Sequence, residues 1–106
     1  MTDENTLASL LLEYLDPDFP VSTGNGKADD PLVVTATHDY VSVEHAAVRH
    51  VMTMVREDYR LAEQRVHHNG DRVIDELVVD VKPSGANEWT GRRRFFFDIT
   101  AGFGMK

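Results

Sequence analysis

Val66-His67-His68-Asn69-Gly70-Asp71-Arg72-Val73 is the stretch whose reading decides the fold. Asn-Gly is the strongest short signal for a two-residue hairpin, because a type I′ turn needs φ > 0 at both central positions. Upstream, an apolar helical register continues through Tyr59, Ala62 and Val66, so a single helix from residue 42 to about residue 67 is the competing reading. A helix running straight into Asn69-Gly70 would leave the turn with no strand to close. The turn chemistry therefore predicts that the helix stops near Glu57 or Asp58. Tyr59–His68 then becomes a strand paired with Asp71–Lys82, Val66 against Val73 and Ala62 against Leu77.

Downstream, Val73, Leu77, Val79 and Val81 line one side of the second strand. Pro83-Ser84-Gly85 and Gly91 bracket a loop that carries Trp89. The last strand, Arg92–Ala101, sets Phe95, Phe97 and Ile99 on one face and Arg92, Arg94, Phe96, Asp98 and Thr100 on the other. Aromatics on both faces point to a central strand or an interface. Val79 against Phe95 would place Asp80 opposite Arg94.

Upstream, Ser42 caps a helix over 42–57 with Glu44 and His45 in its first turn. Val48, Val51, Met52 and Val55 share one arc, widened by Ala47 and Met54. Leu32–Thr37 reads as a short buried strand, and 17–31, with Pro20, Gly24 and Gly26, as a flexible loop. Residues 4–15 form a first helix with Leu7, Leu10, Leu11, Tyr14 and Leu15 on one face. Thr2 or Asp3 caps it, Asp3 and Glu4 suit its positive end, and Asp16-Pro17 stops it. The expectation is one α+β domain over 1–106, order α-β-α-β-β-β, with helices packed on a curved antiparallel sheet of three to four strands.

Composition narrows the function classes. The chain has 106 residues, 42% of them apolar and 27% charged, the profile of one soluble domain. It contains no cysteine, which excludes disulfides, thiolate catalysis and Cys-ligated zinc and favours a reducing, cytoplasmic setting. Met1-Thr2-Asp3-Glu4 has no basic secretory n-region, and no apolar run approaches the length of a membrane span. Net charge is −7, with −6 of it in residues 1–30, which hold seven acids and one Lys. Nucleic-acid binding needs a positive footprint, so neither nucleic acid nor membrane is an expected partner.

Five histidines invite a metal reading, but no two lie at the i, i+4 spacing a helical metal pair requires. His67 and His68 are neighbours on a strand end and point to opposite faces. His38-Asp39 stands where a strand meets a helix and could supply a base with its orienter; otherwise Asp39 or Ser42 simply caps the helix. Arg92 or Arg94 beside Trp89 could bind a carboxylate or other anion through the planar guanidinium fork. The alternative is a salt-bridged strand in which these arginines pair with Asp75, Glu76 and Asp80. Arg92-Arg93-Arg94 before three phenylalanines lacks the alternating Gly-aromatic pattern of RNA-recognition strands. Gly24-Asn25-Gly26-Lys27 lacks the rest of a phosphate loop, and no Gly-x-Ser-x-Gly elbow occurs. The ligand-binding candidates are thus His38, Asp39, Trp89, Arg92 and Arg94, with no catalytic set, metal or cofactor expected.

The segment Arg65–Glu76, followed by Trp89-Thr90-Gly91-Arg92-Arg93 and Phe95-Phe96-Phe97-Asp98-Ile99, resembles the C-terminal half of the nuclear-transport-factor-two-like superfamily, the cone fold of ketosteroid isomerases and polyketide cyclases. The resemblance covers about residues 42–102 and implies helices over a strongly curved sheet that often encloses a ligand. The N-terminal third departs from that pattern, and no family catalytic motif matches a position here.

Two functional expectations follow. One is a non-enzymatic binding or accessory module that forms a homodimer through its sheet, where Phe96, Val78 and Ile74 would present an apolar patch. In that reading the first helix is the only other candidate cover for the patch. The second is a small-ligand protein, related to isomerases or cyclases, with a pocket between helix 42–57 and the sheet. An enclosed pocket with two or more inward polar groups would favour the second.

Overall fold

The computed structural model describes residues 6–103. Its elements run α1 (Leu7–Tyr14), β1 (Leu32–Val33), α2 (Tyr40–Val55), β2 (Glu57–Asn69), β3 (Arg72–Pro83) and β4 (Gly91–Asp98). The strands form one sheet in the order β1-β4-β3-β2, antiparallel except for the two-residue parallel contact of β1 with β4. This is the expected α+β arrangement, with both helices on one face of a curved sheet. β4 lies between β1 and β3, so the strand with aromatics on both faces is indeed central.

The contested segment is strand. Its switch from helix is made in one residue: Arg56 is left-handed (φ 58°), and its N–H reaches back to the carbonyls of Met52 and Thr53. Left-handed backbone crowds a Cβ, and glycine is the usual occupant of this position. Arg56→Gly is therefore expected to raise stability by about 0.5–1 kcal/mol, read as a higher urea midpoint at unchanged slope.

The pairing register differs from expectation by two residues. Asn69 pairs with Arg72, so the turn residues are Gly70-Asp71, with φ positive at Gly70 (64°) and not at Asp71. Glycine first with φ > 0 only there is the type II′ pattern, and Gly70 takes that place in preference to the second position of a type I′ turn. Val66 consequently faces Asp75, and Gln64 faces Leu77. A bulge between Leu61 and Glu63 leaves Ala62 without a partner and reverses the alternation of β2 from there on. On the other side Phe95 pairs with Leu77, and Asp80 meets Arg92 in place of Arg94. A slip of two keeps every side chain of β3 and β4 on its expected face.

The helix-covered face carries the core. Ala8 and Leu11 of α1 and Ala47, Val48 and Met52 of α2 pack on Leu77, Val79, Val81, Phe95, Phe97 and Ile99. α1 turns Ala8 and Leu11 inward, while Tyr14 and Leu15 of the expected stripe remain exposed. Its cap is Thr6, whose hydroxyl accepts from Ser9 N–H; the expected caps Thr2 and Asp3, and Glu4, lie outside the described residues. α2 starts at Tyr40, earlier than a Ser42 cap would allow. The expected strand 32–37 shortens to Leu32–Val33 because its flanks bond to the preceding loop: Ser22 N–H to Val33, Val33 N–H to Thr23 and Thr35 N–H to Pro20. The expected last strand, 92–101, ends at Asp98, although Ile99 continues into the core.

Candidate functional site

Three features of the fold bear on function. The first lies in the core. Strand parity puts Asp75 on the helix-covered face, between Val66 and Phe97. Helix spacing puts Glu44 on the same side of α2 as Ala47 and Val48. Both carboxyls are 0% exposed. Gln64 donates from Nε2 to Asp75 Oδ2 at 2.8 Å, while Asp75 Oδ1 and both Glu44 oxygens have no donor as long as both acids are ionised. Protonation of Glu44 resolves this, because it turns one acceptor into a donor toward Asp75. Burial first, then the hydrogen bond to Asp75, then the charge of Asp75 push Glu44 up to about 10. Burial, followed by the charges of Asp75 and Glu44, also raises the half-buried Tyr40 hydroxyl. A neutral carboxylic acid held against a carboxylate is chemistry that proton-transfer sites use.

The second feature is a cleft of about 320 Å³ between α1, the last turns of α2 and the sheet. Leu7, Leu10, Val51, Met54 and Val55 form its walls with Phe95, and Asn25 is its one polar lining residue. Met54 and Val55 belong to the apolar arc expected for α2, yet they are 53% and 43% exposed because they border this opening. Asn25 is held in place, its Oδ1 accepting from Leu7 N–H at 3.1 Å and its Nδ2 donating to Asp30 at 2.8 Å.

The third is the open face of the sheet, a lattice of charges. Arg60 and Arg92 flank Asp80 at 3.2 and 3.1 Å, and Arg92 also reaches Glu63 at 3.4 Å. His67 and Arg94 bracket Glu76 at 2.8 and 2.7 Å, and Arg72 meets Asp98 at 2.9 Å. Burial opposes ionisation of Glu76 and Asp80, but the bonds from His67 and Arg94, and from Arg60 and Arg92, outweigh it and hold both below the usual carboxylate range. Val78, at 0% exposed, lies in register between Glu63 and Arg94, so side-chain stems of the lattice roof it. The expected apolar patch is therefore covered within the monomer: Ile74 is buried and Phe96 half-buried. α1 does not provide the cover, since it packs on the opposite face.

The candidates read from sequence fall in separate places. His38 and Asp39 are exposed on the turn before α2. Asp39 is left-handed (φ 53°) and makes no side-chain cap; its carboxylate accepts from the Ser42 hydroxyl at 2.8 Å. Trp89 lies far along the chain, against the lattice, with the Arg60 guanidinium 4.5 Å and the Lys82 ammonium 5.2 Å from its ring centre. Arg92 and Arg94 are engaged by Asp80, Glu63 and Glu76 as described, whereas Asp75 faces the core and takes no part. Among the described residues no group of three or more His, Asp or Glu is placed to hold a metal ion, and no helix is long and apolar enough to cross a membrane. Glu44, Asp75, Gln64 and Tyr40 were missed as a group, although Asp75 shares the parity of Val73 and Leu77 in the sequence. Against family models, curated proteins and solved structures, the chain finds no match.

Proposed function

We propose that the protein is a non-catalytic binding module whose cleft between α1 and α2 takes the apolar part of a small molecule. The observation that carries this reading is the cleft's lining, six apolar side chains and a single amide. Its volume of about 320 Å³ lies at the small end of ligand sites, which are mostly apolar with few polar groups. The resemblance to the cone fold supports the same reading, since a cone ligand also lies on the helix-covered face. A second reading, an isomerase or cyclase relative, draws on the Glu44–Asp75 pair. A general acid must come within hydrogen-bond reach of its substrate, and both carboxyls are sealed at 0% exposed, so the binding reading leads.

Titration with 1-octanol, followed by methyl-resolved NMR, tests it. Shifts are expected to gather on Leu7, Leu10, Val51, Met54 and Val55. Met54→Lys, at an exposed wall position, is expected to weaken binding about tenfold while leaving the fold intact. Shifts scattered over the surface, or none at millimolar octanol, would refute the cleft.

A further inference from the structure

β2 is an edge strand of 13 residues that pairs only with β3 among the described residues. Its backbone phase follows from the hairpin. Asn69 and Arg72 close the two-residue turn, so the residues at 63, 65, 67 and 69 bond to β3. Ser84 N–H donates to Arg56 at the other end, in phase with the pairs Asp58–Lys82 and Arg60–Asp80. That leaves the N–H and C=O groups of Glu57, Tyr59 and Leu61, and those of Gln64, Val66 and His68, aimed at the free edge. The change from odd to even is the work of the Ala62 bulge.

We propose that this edge pairs with the same edge of a second copy, antiparallel about a two-fold axis between Leu61 and Ala62. The two four-stranded sheets then become one continuous sheet. A regular strand paired with itself about a two-fold sets like residues opposite each other at the axis. The bulge removes that constraint: it lets the first half of β2 meet the second half of its copy with outward backbone groups and side-chain faces both matched. Tyr59 bonds to Gln64 of the second copy, and Glu57 to its Val66.

Charge selects this register. On the open face Arg60 stands opposite Glu63 of the second copy, and Asp58 opposite its Arg65, each twice by symmetry. A slip of two in one direction sets Arg60 against Arg65; in the other it sets Asp58 against Glu63. Both neighbouring registers place like charges face to face, so of these three this one is complementary. On the helix side, Leu61 (49% exposed) stands opposite Ala62 of the second copy and diagonal to its own copy, and Val66 (43% exposed) lies diagonal to Tyr59 of the second copy. Bulges ordinarily guard edges against pairing; here the bulge is what brings unlike residues opposite each other.

Sedimentation equilibrium of the full chain between about 10 and 500 µM tests the pairing, and it does not depend on the cleft. A monomer–dimer equilibrium is expected. Arg60→Glu and Glu63→Arg each set like charges opposite across the axis and are expected to weaken the dimer about tenfold. The double variant Arg60→Glu/Glu63→Arg restores opposite charges and is expected to recover it. Amides of Tyr59, Gln64 and Val66 should exchange more slowly as concentration rises. A monomer throughout the range overturns the proposal. So does a dimer that both single variants leave unchanged, or one that the double variant fails to restore.

Discussion

Gly24→Ala is expected to cost about 3–5 kcal/mol, enough to leave much of the chain unfolded at room temperature. Gly24 has φ +107°, and a Cβ there would stand 1.9 Å from the Pro31 carbonyl oxygen and 2.7 Å from its carbon. Both obstacles are backbone, so no side-chain rotation relieves the overlap. The neighbourhood has little room to shift. Gly24 accepts from Ala8 N–H of α1, Thr23 accepts from Val33 N–H of β1, and Leu32 beyond Pro31 is fully buried. Gly85 provides the control, with φ +85° and no atom within 4 Å of an added Cβ. Gly85→Ala should therefore cost only about 1–2 kcal/mol, the conformational part alone. Urea titrations of the two variants make the comparison. Equal midpoints would show that the loop yields and that Gly24 does not anchor α1 to β1.

Glu44→Gln is expected to stabilise the protein above neutral pH and to flatten its response to alkali. Glu44 rises from its ordinary 4.5 to about 10 in the folded chain. The folded state therefore keeps a proton that the unfolded state gives up. The associated stability is complete below about 4.5 and is lost progressively as pH climbs through about 10. Within that window the slope approaches 1.4 kcal/mol per pH unit, about one proton's worth. Gln keeps the shape, has no charge to desolvate and still donates to Asp75. Melting curves at about pH 5, 7 and 9 should show the parent falling steadily while the variant changes far less. Parallel curves would mean that Glu44 titrates alike in both states.

Much of the architecture was legible because it rests on local chemistry. The Asn69-Gly70 signal correctly ended the helix and opened the hairpin, and the alternation of Phe95, Phe97 and Ile99 correctly gave the buried side of β4. The register was missed by two because Gly70 suits either place in a two-residue turn, and the choice rests on how the strands seat their side chains. Of the candidate residues, Arg92 and Arg94 were seen with partners among the acids, but the groupings of Arg92 with Asp80, Arg60 and Glu63 and of Arg94 with Glu76 and His67 each span three strands. Glu44 read as a carboxylate favouring a helix start, an ordinary solvated role. Its burial comes from the packing of α2 on the sheet, and its partner Asp75 lies 31 positions away, which periodicity within α2 cannot reveal. A pocket between helix 42–57 and the sheet was among the expectations, but the wall that α1 gives the cleft was not, and the exposed Met54 and Val55 have the same periodicity as the buried Val48 and Met52.

The two flanks of the sheet are finished differently. Beside β4, Leu32–Val33 and the loop before them occupy the edge, with Val34 N–H bonded to Asp98 and Phe96 N–H bonded to Gly26. A strand arriving on that side finds these backbone groups of β4 already satisfied. Among the described residues, the β2 edge is where the strand addition proposed above starts, and a second copy seated there would occupy it. The proposed pairing therefore closes on two copies and does not extend into a ribbon, as long as the Gly24 loop keeps its hold on the β4 side.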